Sequence, residues 1–78
     1  MKNKIRSILA AECNLAVDVA TLQDEDDLYA KGLTSFASVQ LMLGLEDGFD
    51  VEFSENMLSR RTFQSIASIA AALTELQA

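Results

Sequence analysis

The sequence predicts an all-α fold, a small four-helix bundle with three main helices and one short helix, formed by residues 1–78 as a single domain. Apolar residues recur at spacings of three and four in separate segments, which is the period of helices with one buried face. The chain has no proline and only three glycines, so helix breakers are scarce. Half of its 78 residues are apolar, which is too many for a disordered chain.

The first predicted helix covers residues from about 3 to 13, and Asn14 is its expected end. Its apolar positions lie on one face: Ile5, Ile8, Leu9 and Cys13. Residues 15–34 have no sustained period and are predicted as a long loop, and long loops in compact domains are usually functional or anchored. The expected anchors to the core are Val17, Val19, Leu22, Leu28 and Leu33.

The second predicted helix runs from about Ser35 to Gly48. Thr34 or Ser35 can cap its start, because a short hydroxyl side chain accepts a hydrogen bond from a free backbone N–H. Gly48 suits its end, because helices often stop at a glycine.

The last third of the chain predicts two more helices. An extended link over residues 50–53 leads to a short helix over residues 55–59, with Ser54 as its cap. Thr62 is predicted to cap the final helix. The apolar residues of that helix are Phe63, Ile66, Ile69, Ala70, Leu73 and Leu76.

The second helix has apolar residues on two sides. At about 100° per residue, one face is the predicted core stripe: Ser38, Leu41, Met42, Leu45 and Phe49. Phe36, Val39 and Leu43 fall almost opposite, and we call these three the outward stripe. An exposed apolar stripe beside acidic residues suggests partner docking. The alternative is that the third helix or the long loop covers it.

Composition excludes several classes of function. The net charge of −6 and the pI of about 4.3 argue against binding nucleic acid or an anionic membrane, and they favour partners with basic surfaces. A lone cysteine without any histidine leaves no internal disulfide, and we expect no metal site. The N-terminus lacks the apolar run of a signal peptide and no stretch approaches the length of a membrane span, so we expect a cytoplasmic protein. We also expect a monomer.

Ser35 stands where the second helix begins. The first N–H groups of a helix lack internal partners and the dipole is positive there, so a phosphate on this serine would be well placed. The alternative is that Ser35 is only a helix cap.

The segment DLYAKGLTSF at residues 27–36 resembles the phosphopantetheine attachment motif of acyl carrier proteins, D-L-x-x-x-G-x-D-S-L. Residues 39–53 and 62–66 resemble the family's second helix and the start of its last helix. The resemblance implies a non-catalytic carrier whose 4'-phosphopantetheine, delivered from coenzyme A by a phosphopantetheinyl transferase, is attached to Ser35. Cargo is then held as a thioester.

Some positions depart from the family pattern. Thr34 stands before the serine where Asp is usual, and Phe36 follows it where Leu is usual. Ala37 and Gln40 stand where carriers of fatty-acid synthesis often have acidic residues. Acidic charge remains at the far end of the helix.

The predicted docking residues are the outward stripe together with Glu46 and Asp47. Residues 32–44 are similar to specialised bacterial carriers, some of which are loaded with an amino acid by a stand-alone ligase. The resemblance therefore implies a loading ligase and downstream transferases as partners, and it favours an aminoacyl subtype over fatty-acid synthesis. The bulky core residues predict a small cargo that is not enclosed in the bundle.

Two other functions compete with the carrier. One is an unmodified acidic interaction module that uses the outward stripe alone. The other is a small enzyme, which is disfavoured because no histidine or nucleophile–base pair is present. Cys13 and Tyr29 are interpreted as packing residues, and Arg60 and Arg61 as a solvated pair.

Overall fold

The computed structural model describes residues 1–13, 15 and 17–77. These residues form three α-helices, α1 (Lys2–Glu12), α2 (Ser35–Phe49) and α3 (Ile66–Gln77). The connections contain two 3₁₀ turns, at Val19–Thr21 and Glu55–Met57. The all-α prediction is confirmed, and the predicted short helix is the second of these turns. The predicted end of the first helix, Asn14, lies outside the described residues.

Helix α1 packs against both α2 and α3. One set of side chains has no exposed surface and forms the centre of the core: Ile5, Leu9, Leu28, Leu41, Leu45, Ile66, Ile69 and Leu73. The predicted core stripe of α2 is confirmed at Leu41 and Leu45, which are fully buried. Its other members, Ser38, Met42 and Phe49, are only partly buried. None of the described helices is both long and apolar enough to cross a membrane.

Helix α2 extends past its predicted end. Gly48 is helical, and α2 closes instead at Asp50, which has left-handed angles of φ 54° and ψ 50° and donates its N–H to Glu46 O. Gly48 allows close helix packing, because a Cβ there would lie 2.7 Å from Ile8 Cδ1. Beyond the helix, Glu46 Oε2 accepts a 2.9 Å hydrogen bond from Phe53 N, which fixes the extended link.

The long loop is tied to α1 by Arg6. Its guanidinium donates to Val19 O at 3.1 Å, to Leu22 O at 2.7 Å and to Asp24 Oδ1 at 2.9 Å. Lys2 Nζ donates to the other oxygen of Asp24 at 3.0 Å. The hydrogen bonds from Lys2 and then Arg6 lower the pKa of the Asp24 carboxyl.

Most of the predicted loop anchors are correct. Leu22, Leu28 and Leu33 are buried and Val19 is partly buried. Val17 was wrong as an anchor, since 37% of its surface is exposed. The loop had no local period that could distinguish an inward from an outward valine at that position.

The start of the last helix was predicted wrongly. α3 begins at Ile66, not after Thr62. Ser65 Oγ accepts from Ser68 N at 3.0 Å and Ser68 Oγ accepts from Ser65 N at 3.0 Å, a reciprocal arrangement like that of a capping box. Phe63 is therefore in a turn, yet it is buried and packs edge-on against Phe53 at 5.4 Å between ring centroids.

Candidate functional site

Ser35 is the first residue of α2, and its neighbour performs the capping. Thr34 Oγ1 accepts a hydrogen bond from Ala37 N at 3.0 Å, and Thr34 O accepts from Ser38 N at 2.9 Å. Ser35 is an exposed residue, and its hydroxyl makes no hydrogen bond to a described residue. The alternative that Ser35 is only a cap is therefore wrong, since Thr34 satisfies the free N–H group.

The segment before Ser35 is held in one conformation by buried leucines and local hydrogen bonds. Leu28 N donates to Gln64 O at 2.7 Å, and Leu33 N donates back to Leu28 O at 2.9 Å. Gly32 has a φ of 110°, a region that side-chain-bearing residues rarely adopt. Asp27 Oδ1 accepts from Tyr29 N at 3.0 Å and stabilises the turn. This turn fixes the position of Ser35 relative to the core.

An open groove of about 460 Å³ begins at Ser35, and we call it the Ser35 groove. Its apolar lining consists of Tyr29, Val39, Met42, Leu58 and Phe63. Its polar lining consists of Ser35, Ser38, Ser59 and Arg60. It lies between the start of α2 and the irregular segment that precedes α3, so a chain attached to Ser35 has a surface to rest on.

Sequence reasoning missed Arg60 and Leu58 as parts of this site. The Arg60 guanidinium carbon lies 4.0 Å from the centre of the Tyr29 ring, in cation–π geometry. Tyr29 is half-buried, as expected of a packing residue, and its ring also contacts a cation. Arg60 falls between the two helices predicted for this region, and its contact with Tyr29 spans 31 positions, so no local signal could have identified it.

The outward stripe is exposed to solvent. The exposed fraction is 74% for Phe36, 52% for Val39 and 54% for Leu43, so neither the third helix nor the loop covers them. Asp47 is also exposed. Glu46 is partly buried and is engaged with the backbone of the extended link, so its place at a docking surface stays a prediction.

Cys13 is a packing residue, as predicted. It is buried, and its Sγ lies 3.5 Å from Ala37 O. Burial, and then the charge of Glu12, raises the pKa of the Cys13 thiol to about 11. A thiol that stays protonated at neutral pH is a poor nucleophile. Among the described residues, no group of three or more potential ligands is close enough to hold a metal ion.

The site presents an exposed serine at the start of α2. The sequence has no histidine that could activate it. The positive end of α2 favours a phosphate on Ser35, and the adjacent groove leaves room for the chain that would follow the phosphate. The fold and the site together are those of a small helical carrier, with an exposed serine at the start of its second helix.

Comparison with known proteins gives the family. Residues 3–73 match the family described as "Phosphopantetheine attachment site", and the chain belongs to that family. It is 56% identical over 69 residues to the aminoacyl carrier protein of Agrobacterium fabrum, covering 88% of this chain and 83% of that protein.

Solved structures confirm the fold. A chain in the crystal structure of an engineered Bradyrhizobium japonicum glycine:[carrier protein] ligase, complexed with a carrier protein from Agrobacterium tumefaciens and ATP, matches with a TM-score of 0.93. Identity is 51%, and the match covers 95% of this chain and 96% of the other. A solution structure from Agrobacterium tumefaciens matches with a TM-score of 0.80 at 51% identity, covering 99% and 93% of the two chains.

Family membership confirms the predicted carrier class and its cofactor. The protein is a phosphopantetheine-dependent carrier that holds a group as a thioester and works with partner enzymes, without catalysis of its own. The exposed serine hydroxyl, the helix start and the open groove fit such a covalently bound arm.

Proposed function

We propose that this protein carries an amino acid as a thioester on 4'-phosphopantetheine bound to Ser35 and presents it to partner enzymes. The single observation that carries the proposal is the division of roles at the start of α2, where Thr34 caps the helix and the Ser35 hydroxyl is left exposed. The similarity to an aminoacyl carrier protein and to chains solved with a glycine:[carrier protein] ligase supports an amino acid as the cargo.

The contribution of this chain is to fix and present the arm. When bound, the arm supplies a terminal thiol that forms the thioester. The protein holds the attachment oxygen at the positive end of α2, where a phosphodiester is stabilised by the dipole. Tethering makes delivery to a docked enzyme effectively intramolecular and so raises the local concentration of cargo.

Partner enzymes dock on the outward stripe in this proposal. Its three side chains are each more than half exposed and lie on the helix that begins at Ser35. Asp47 adds a negative charge toward the other end of α2, and Glu46 lies next to it. A stripe of this kind gives an apolar centre with a charged edge, which suits a partner whose surface is basic around an apolar patch.

The cargo in this proposal is small. Eight large side chains of the described core have no exposed surface, and close packing of such residues leaves little space for a long acyl chain between the helices. The Ser35 groove is open to solvent, so a short cargo can leave it without any helix moving. This property suits a carrier that must release its cargo to an enzyme.

Intact-mass measurement after incubation with coenzyme A and a broad-specificity phosphopantetheinyl transferase tests the attachment residue. We expect the wild type to gain the mass of one arm. Ser35→Ala should remain folded and gain nothing. Ser38→Ala is the matched control, because Ser38 lines the same groove, and it should gain the arm as the wild type does. An unmodified wild type would favour the acidic interaction module instead.

A further inference from the structure

Arg60 is the one charged residue among those that line the Ser35 groove. In the described part of the chain, no carboxylate lies within ion-pair distance of its guanidinium, whereas Lys2 and Arg6 both pair with Asp24. An arginine without an acidic partner, in a protein whose net charge is −6, is available for an anionic ligand.

The stacking on Tyr29 orients this cation. The guanidinium carbon lies over the ring, 4.0 Å from its centre, and Arg60 donates no hydrogen bond to a described residue, so its N–H groups remain free to donate. An arginine already held in one orientation loses less freedom when it binds, and its fork of donors suits two oxygens of one phosphate. Tyr29 is itself held by the turn at Asp27, so the pair is anchored to the core.

We propose that Arg60, supported by Tyr29, binds the phosphodiester that joins the arm to Ser35 and thereby directs the arm along the Ser35 groove. This inference rests on the attachment at Ser35 proposed above. Arg60 is a positioning residue: it places the arm, and it takes no part in forming the thioester.

Arg61 offers a matched control. It is the next residue, it is also exposed, and it carries the same charge. It lines a separate depression on the side of α3, together with Glu75, and it is absent from the Ser35 groove. Removing either arginine changes the net charge equally, so a general electrostatic effect would appear in both variants.

The test compares apo and holo forms of the wild type, Arg60→Gln and Arg61→Gln by NMR, with intact mass used to confirm the arm. In the wild type and Arg61→Gln, attaching the arm should shift the Arg60 Nε–H signal and the amides of Tyr29 and Met42. In Arg60→Gln, the amide shifts should fall at least about two-fold, and the ³¹P signal of the phosphodiester should move. Arg60→Lys keeps the charge without the planar fork, so its amide shifts on attachment of the arm should fall only in part. This variant replaces Arg60→Gln in the test if Arg60→Gln does not fold.

Several results would overturn the inference. One is that attaching the arm shifts the amides of Tyr29 and Met42 equally in the wild type and in Arg60→Gln. Another is that these amide shifts fall equally in Arg60→Gln and Arg61→Gln. A third combines two results for Arg60→Gln: the amide shifts and the ³¹P signal are those of the wild type, but a ligase loads the protein more weakly. That combination would mean that Arg60 contacts an acidic surface of the ligase instead. If the wild type gains no mass at all, the attachment at Ser35 fails, and that failure is distinct from the others.

Discussion

The Ala37 N–H donates to Thr34 Oγ1 at 3.0 Å, and this bond leaves the hydroxyl of the intervening Ser35 free. Related carriers usually have Asp at the position before the serine, and Asp is an equally good helix cap. The departure at Thr34 therefore changes the charge at the site and keeps its geometry. In our proposal the cap stands immediately before the attachment residue, so that one helix start serves both stability and attachment.

Replacement of this cap should cost stability without abolishing attachment. Thr34→Ala leaves the Ala37 N–H without its partner, and we expect a loss of about 1 kcal/mol in the free energy of unfolding. Thr34→Asp should remain within about 0.5 kcal/mol of the wild type, because its carboxylate caps the same group. Urea denaturation measures both. Equal stability of Thr34→Ala and the wild type would mean that Thr34 does not cap α2.

Opposite faces of α2 should respond differently to a charge. Leu43 is 54% exposed and Leu45 is fully buried. Leu43→Asp should change stability by only about 0.5 kcal/mol and should weaken loading by the cognate enzyme. Leu45→Asp should unfold the domain, because it buries an unpaired charge. Thermal melts together with loading rates make the comparison, and equal destabilisation by the two changes would show that Leu43 belongs to the core.

The packing of α1 on α2 requires a small residue at position 44. A Cβ on Gly44 would lie 2.9 Å from Ile8 Cγ2. We expect Gly44→Ala to destabilise the wild type, even though alanine is favoured in helices by about 1 kcal/mol. In an Ile8→Ala background the same change should cost less stability, because one of two close contacts is removed while the other, to Glu12 Cγ at 2.9 Å, remains. A double-mutant cycle in urea measures this, and an identical effect in both backgrounds would rule out the contact.

The Asp24 carboxylate should make stability depend on acid pH. Its pKa is lowered in the folded protein by Lys2 and Arg6, so its contribution is fully present above the unfolded value near 3.8 and is lost as pH falls through the lowered folded value. The wild type should therefore melt above Asp24→Asn at neutral pH, and the two melting temperatures should converge in acid. Added salt should narrow the difference in melting temperature, because the Lys2–Asp24 ion pair is exposed to solvent and Arg6–Asp24 is partly exposed. A constant difference at all pH values would contradict the assignment.

The regular helices could be predicted from sequence because their periodicity is local. α1 and α2 begin and end within one or two residues of the predicted positions. The start of α3 was misplaced because Phe63 precedes Ile66 by three residues, which imitates a helical repeat although Phe63 packs from a turn. The Ser35 groove depends on a contact between two irregular segments, and no sequence period records such a contact.

Loading with a small amino acid tests directly whether the protein carries an amino acid on an arm attached to Ser35. The holo protein is incubated with glycine, ATP and a glycine:[carrier protein] ligase, and intact mass is followed before and after treatment with hydroxylamine. We expect the wild type to gain one glycyl group that hydroxylamine removes, as a thioester requires, and Ser35→Ala to gain none. The proposal of an aminoacyl carrier would be wrong if no amino-acid ligase loads the holo protein and if the holo protein instead accepts and encloses a long acyl chain.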